Sequence, residues 1–266
     1  MQIGLKIDNC STKSNKKYWK RLKDISKFTN LEVGIECYGK KRTCELNSKL
    51  LEKIFKEFKR RKEDTPELKN IVHLSLEAKV LNKENFTEEE WIEKWTKQAE
   101  ILNPLYVDYV VVHATSNESK VIPEDEQIEI IHRNFKVLSE IIPVPIYVEN
   151  TYEDLYFYEK LFKNAPLDMN FVCDIGHLKI HSPNQSQMEW TLFLKRLAFQ
   201  GRGIHFHIHD NNGIQDQHNP ISTDNNKKII TFVQKLLAYF PSSVFVLEQH
   251  STSIEDMFKD YLLLKG

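Results

Sequence analysis

Short apolar runs recur along the chain at a steady pace, each followed by a stretch with apolar residues three and four positions apart. The runs lie at 2–7, 31–36, 70–75, 107–113, 145–149, 169–174, 203–209 and 243–248, and each has the length of a strand. The intervening stretches carry helical spacing. Leu46, Leu50, Leu51, Ile54, Phe55 and Phe58 form one such face, and Ile229, Ile230, Val233, Leu236, Leu237 and Phe240 another. Thr87, followed three residues later by Glu90, marks a capping box ahead of Trp91 and Ile92. Eight strands alternating with helices predict an α/β chain whose parallel sheet closes into a (β/α)8 TIM barrel. An open doubly wound sheet is the alternative. It would call for a glycine-rich turn after an early strand, and the eight glycines form no G-x-G-x-x-G.

Length supports the closed form: 266 residues suit one barrel domain over 1–266 better than two average domains. Charged residues at 28% and a formal net charge of −1 give no global pull toward nucleic acid. Cys10, Cys37, Cys44 and Cys173 form no C-x-x-C pair, which predicts free thiols in a reducing compartment. The opening residues lack the apolar run of a signal peptide, and no stretch approaches a membrane span. The expectation is a cytoplasmic protein without membrane contact.

Alternation along the strands shows where chemistry collects. Active sites of barrels form at the C-terminal strand ends, from side chains that point inward. Those positions hold His73, His113, Glu149, Asp174 and Glu248, beside outward apolar neighbours such as Ile146, Val148, Phe245 and Leu247. Inward carboxylates are costly unless paired or ligating. The seventh strand reads Ile204-His205-Phe206-His207-Ile208-His209-Asp210, with three histidines on one face. His205 lies deepest and is expected to be structural. His177 follows Asp174 by three residues, and Asp216 and His218 follow in a polar loop. This donor mix suits zinc, manganese or iron(II) and excludes a thiolate site. His132, His181 and His250 are expected on the surface or on helices.

Five segments resemble the xylose-isomerase-like barrels, which include sugar isomerases and epimerases and the endonuclease IV group of abasic-site nucleases. They are Val148-Glu149-Asn150-Thr151, Cys173-Asp174-Ile175-Gly176-His177, His207-Ile208-His209-Asp210-Asn211-Asn212-Gly213, Asp216-Gln217-His218 and Leu247-Glu248. On the isomerase side, the resemblance implies one divalent metal held by Glu149, Asp174, His207 and Glu248. His177 would bind substrate oxygens, Glu149 and Glu248 would move the proton next to a carbonyl, and the substrate would be a sugar or sugar phosphate. On the nuclease side (the AP endonuclease family 2 pattern), it implies two or three metals. The added ligands would be His73, His113, His177, Asp216 and His218, with His209 a further metal or substrate contact. The basic turn at Tyr38-Gly39-Lys40-Lys41-Arg42 would then face a nucleic-acid backbone. A multi-iron redox barrel and a non-catalytic binding barrel are the remaining readings of the same ligand shell.

Overall fold

A computed structural model describes residues 2–8, 29–34, 48–74, 87–100, 102, 104–115, 122–222, 227–249 and 254–265. Eight strands are present: β1 (Gln2–Asp8), β2 (Asn30–Gly34), β3 (Asn70–His73), β4 (Tyr109–His113), β5 (Ile146–Glu149), β6 (Asn170–Asp174), β7 (Ile204–Ile208) and β8 (Val244–Leu247). All pairings are parallel, in chain order, and Gln2–Leu5 of β1 pairs Val244–Leu247 of β8 to close the ring. The expected (β/α)8 barrel is the observed architecture. Eight helices are described: α1 (Ser48–Asp64), α2 (Glu88–Ala99), α3 (Glu124–Ile141), α4 (Leu155–Lys163), α5 (Ile175–His181), α6 (Gln187–Phe199), α7 (Lys227–Tyr239) and α8 (Ile254–Lys265).

Most expected strand ranges are corrected by a residue or two at their ends, the third to Asn70–His73 and the eighth to Val244–Leu247 among them. The fourth strand begins at Tyr109 rather than 107, and the seventh ends at Ile208, leaving His209 just beyond the ladder. In addition, two helices rather than one follow β6: Asp174 ends the strand and caps the short α5, accepting from His177 N at 2.8 Å. The basic turn at 38–42, Cys10, Cys37, Cys44 and His250 lie outside the described residues. None of the described helices is long and apolar enough to cross a membrane.

Two apolar layers result from strand alternation. Outward side chains such as Val72, Val110, Val112, Val148, Phe171, Phe206, Phe245 and Leu247 pack under the helices. The helices answer with matching stripes: Ile131, Phe135 and Leu138 of α3, and Ile229, Phe232, Val233, Leu236 and Leu237 of α7 are buried. Inward, Ile71, Tyr109, Val111, Val172, Val244 and Val246 fill the lower barrel with Tyr147. Above that plug the interior turns polar. Glu32, His73, Glu149, Asp174, His207 and Glu248 are all nearly inaccessible to solvent.

Candidate metal centre

Burial of so many ionisable groups at one end of a barrel requires mutual compensation. The strands bring them into four sets whose donor atoms lie within 4.8 Å of one another in each: one joins Glu32 to His73 and His207, and the other three lie at the strand ends. Of those three, the first joins β3, β4 and β5. His73 Nε2 and His113 Nε2 are 3.0 Å apart, and lie 3.3 and 3.0 Å from Glu149 Oε2. The second is central: His207 Nδ1 lies 3.1 Å from Glu149 Oε1, 2.8 Å from Glu248 Oε2 and 3.8 Å from Asp174 Oδ2. The third sits over β6 and β7. His177 Nε2 and His218 Nε2 approach Asp216 Oδ2 at 3.1 and 2.9 Å, and His209 Nε2 is 3.7 Å from Asp216 Oδ1. Glu149 belongs to both the first and the second set.

Local structure explains how each side chain is aimed. Asn150 brackets Asp174, its amide oxygen accepting from Asp174 N at 2.7 Å and its Nδ2 donating to Asp174 O at 3.1 Å. The Asn150 carbonyl pairs with His177 Nδ1 at 2.7 Å, which turns Nε2 toward Asp216. His218 Nδ1 is held in the same manner by the Glu248 carbonyl at 3.2 Å. Gly176 is required by close approach, since a Cβ there would fall 1.9 Å from His209 Cε1. His218 has φ of 48°, the one positive value among described non-glycine residues.

Charges in the site are strongly displaced from their ordinary values. Burial alone would push His177 down. The Asp174 charge, the Asp216 hydrogen bond and the Glu149 charge outweigh it and push the imidazole up to about 10. His218 is raised to about 9 against burial by its Asp216 bond and the Glu248 charge. His207 is raised well above its usual value despite burial, chiefly by Glu32, Glu248 and Glu149. Burial works to raise Glu149, but His207 and His113 hold it well below the usual carboxylate range. Protons on imidazoles thus supply the positive charge that balances the carboxylates.

The donors fit divalent cations. Bonds of about 2.0–2.1 Å in tetrahedral array set ligand atoms roughly 3.3 Å apart, close to the 3.0–3.3 Å edges of the first set. Glu149 Oε2 is buried and outside any well-aligned hydrogen bond, although two imidazole nitrogens face it. Every donor is nitrogen or oxygen; Cys173 is buried in the outward layer instead.

Each candidate named from sequence falls in one of the three sets. His205 lies beneath them, its Nδ1 bonded to Tyr109 Oη at 2.9 Å, as its depth predicts. His132 bonds the Leu161 carbonyl from α3, and His181 ends α5. Glu32 escaped the sequence reading. It reaches from β2 across the barrel to His73 and His207. A lone charge in the run Leu31-Glu32-Val33 was the available signal.

No protein-family model and no curated protein sequence matches the chain. Solved structures match along its whole length. The IolI protein with a bound zinc atom is 14% identical at a TM-score of 0.64, covering 100% of this chain and 95% of its own. The TTHB071 protein from Thermus thermophilus, soaked with ZnCl2, is 16% identical at a TM-score of 0.60, covering 100% and 98%. A sugar phosphate isomerase/epimerase from Parabacteroides distasonis ATCC 8503 is 15% identical at 0.60, covering 99% and 95%. At such identities the likeness establishes the fold, a (β/α)8 TIM barrel.

Proposed function

We propose that this chain is a divalent-metal-dependent enzyme with a three-ion centre, and that it hydrolyses a phosphate ester. The observation that carries the reading is the grouping of His73, His113, His177, Asp216 and His218. They form two further ligand sets flanking the central one instead of lining a single-ion substrate pocket. His73, His113 and Glu149 would hold one ion. Glu149, Asp174, His207 and Glu248 would hold the second, and His177, Asp216 and His218 the third, with His209 beside it. Four carboxylates serve these sets. Three divalent cations would therefore leave the cluster positive, the sign a phosphoryl group needs. Bound cations would polarise the phosphoryl oxygens and acidify an attacking water. Glu149, shared between two sets, would tie them together, and Glu248, in the central set with it, would take the proton released by the attacking water. Asp216 and His113 lie at the more open rim, where a substrate would enter. The formal net charge of −1 favours a compact phosphate ester over a long duplex, which would need several phosphates neutralised.

Elemental analysis of the purified protein is expected to give close to three divalent ions per chain. Phosphate release from a sugar-phosphate panel, run beside nicking of an abasic-site duplex, then separates small esters from nucleic acid. Glu149→Gln should lower turnover on the order of a thousandfold, the scale of losing several kcal/mol of charge stabilisation. One ion per chain and no ester cleavage would end the reading.

A second reading, sugar or sugar-phosphate isomerisation or epimerisation on the central set alone, is favoured by one arrangement. Glu149 and Glu248 both approach His207 Nδ1, at 3.1 and 2.8 Å, placing two carboxylates around one ion position. The Parabacteroides distasonis neighbour, described as a sugar phosphate isomerase/epimerase, supports it. Exchange of a sugar C–H proton with deuterated solvent is its test.

A further inference from the structure

We propose that Glu32 is a positioning residue that fixes the proton on one histidine of the first ligand set and one of the second, and so sets both together. The inference rests on the metal reading given above.

Glu32 lies on β2, belongs to none of the three strand-end sets, and groups only with His73 and His207, one histidine from each of two of those sets; its side chain is wholly buried. Oε1 is 3.2 Å from His73 Nδ1. His207 Nε2 lies 3.0 Å from Oε1 and 3.1 Å from Oε2. His205 Nε2 is also 3.0 Å from Oε2, a charge contact off the line of a good hydrogen bond. A carboxylate only accepts, so His73 must present its proton at Nδ1 and His207 at Nε2. Once a cation displaces any second proton, the opposite nitrogens are the ones that present lone pairs. They are His73 Nε2, facing His113 and Glu149, and His207 Nδ1, facing Glu149, Asp174 and Glu248. Those are the nitrogens a cation requires.

Beneath, Tyr109 Oη and His205 Nδ1 are 2.9 Å apart. With the phenol donating, His205 keeps its proton on Nε2, toward Glu32. Burial holds Tyr109 well above its ordinary range, with the Tyr147 and Glu32 charges adding to it, so the phenol remains a donor. A chain of contacts thus runs from the apolar plug through one anion to histidines on β3 and β7. His177 and His218 of the third set are oriented differently, by backbone carbonyls of Asn150 and Glu248. That difference supplies an internal control.

The test is zinc titration of the parent and of Glu32→Gln against a chromophoric chelator. The amide keeps the shape but offers one acceptor and one donor in place of two acceptors. Two of three zinc equivalents should weaken by roughly 10–100-fold, the usual scale for losing such a partner. The third should stay within twofold. A second readout needs no variant: nitrogen-15 shifts of the zinc-loaded parent should place protons on His73 Nδ1 and His207 Nε2. Parental affinity at every equivalent in Glu32→Gln, uniform weakening of all three, or a proton on His207 Nδ1 would overturn the role. A parent that binds no zinc would instead sink the metal reading on which it depends.

Discussion

His218 carries its ring into the third ligand set on a backbone that side chains seldom adopt, with φ of 48°. Left-handed geometry costs a residue with a Cβ roughly 1–2 kcal/mol, and such outliers persist where the surroundings fix them. Its Nδ1 contact with the Glu248 carbonyl and the stacked His209 ring 3.9 Å away supply that constraint. His218→Gly should therefore leave metal-free stability within about 1 kcal/mol of the parent, since glycine relieves the backbone as the ring is lost. The same variant should lose one zinc equivalent. A stability loss above about 3 kcal/mol with all zinc retained would make the ring a packing element instead. Sequence disclosed this histidine as a candidate because Asp216 and His218 sit two residues apart in a polar loop. It could not disclose the strained backbone, which adjoins the short antiparallel bridge of Asp210 with Asn219.

Elements follow from local chemistry more directly than residues do. Thr87 accepts from Glu90 N at 3.2 Å while the Glu90 carboxylate accepts from Thr87 N at 2.8 Å, the reciprocal cap that opens α2. Thr87→Ala should cost about 1 kcal/mol, measured as a lowered urea midpoint with unchanged slope. All eight strands were legible because a barrel strand buried on both faces is a continuous apolar run that stands out from helical spacing. Their ends were less so. Leaving the ladder after Ile208 depends on where β8 stops, a fact of register and not of composition. The two helices after β6 were hidden for a related reason: Asp174 serves at once as strand end and cap. Glu32 was missed because a single inward charge gains its meaning only when β7 arrives across the ring. The carboxylates and histidines at strand ends were visible since alternation alone fixes their side.

The site as a whole stores positive charge in protons, and this makes the metal-free molecule sensitive to pH. His177, His218 and His207 have raised folded-state values. Their contribution is full below the ordinary imidazole value of 6.5 and is lost as pH rises through about 9 to 10 for the first two. Glu32, Glu149 and Asp216 are lowered, so theirs is full above about 4.5 and lost as pH falls. Metal-free protein should be most stable between roughly pH 4.5 and 6.5, with the thermal midpoint declining toward pH 9. Zinc must displace the same protons, so its affinity should climb across that upper range and binding at pH 7 should acidify a weak buffer. A flat midpoint from pH 6 to 10 in the metal-free form would contradict this charge balance.

The three ligand sets also divide the ring unequally. His73, His113 and Glu149 all come from the chain up to β5, whereas His177, His209, Asp216 and His218 all come after β6. Each half-barrel thus carries one complete set of its own. The central set draws on both, taking Glu149 from the first half and Asp174, His207 and Glu248 from the second, and Glu32 adds a second tie by joining His73 to His207. An ion held there would act as a clasp across the β5–β6 seam, holding the two halves shut alongside any chemistry.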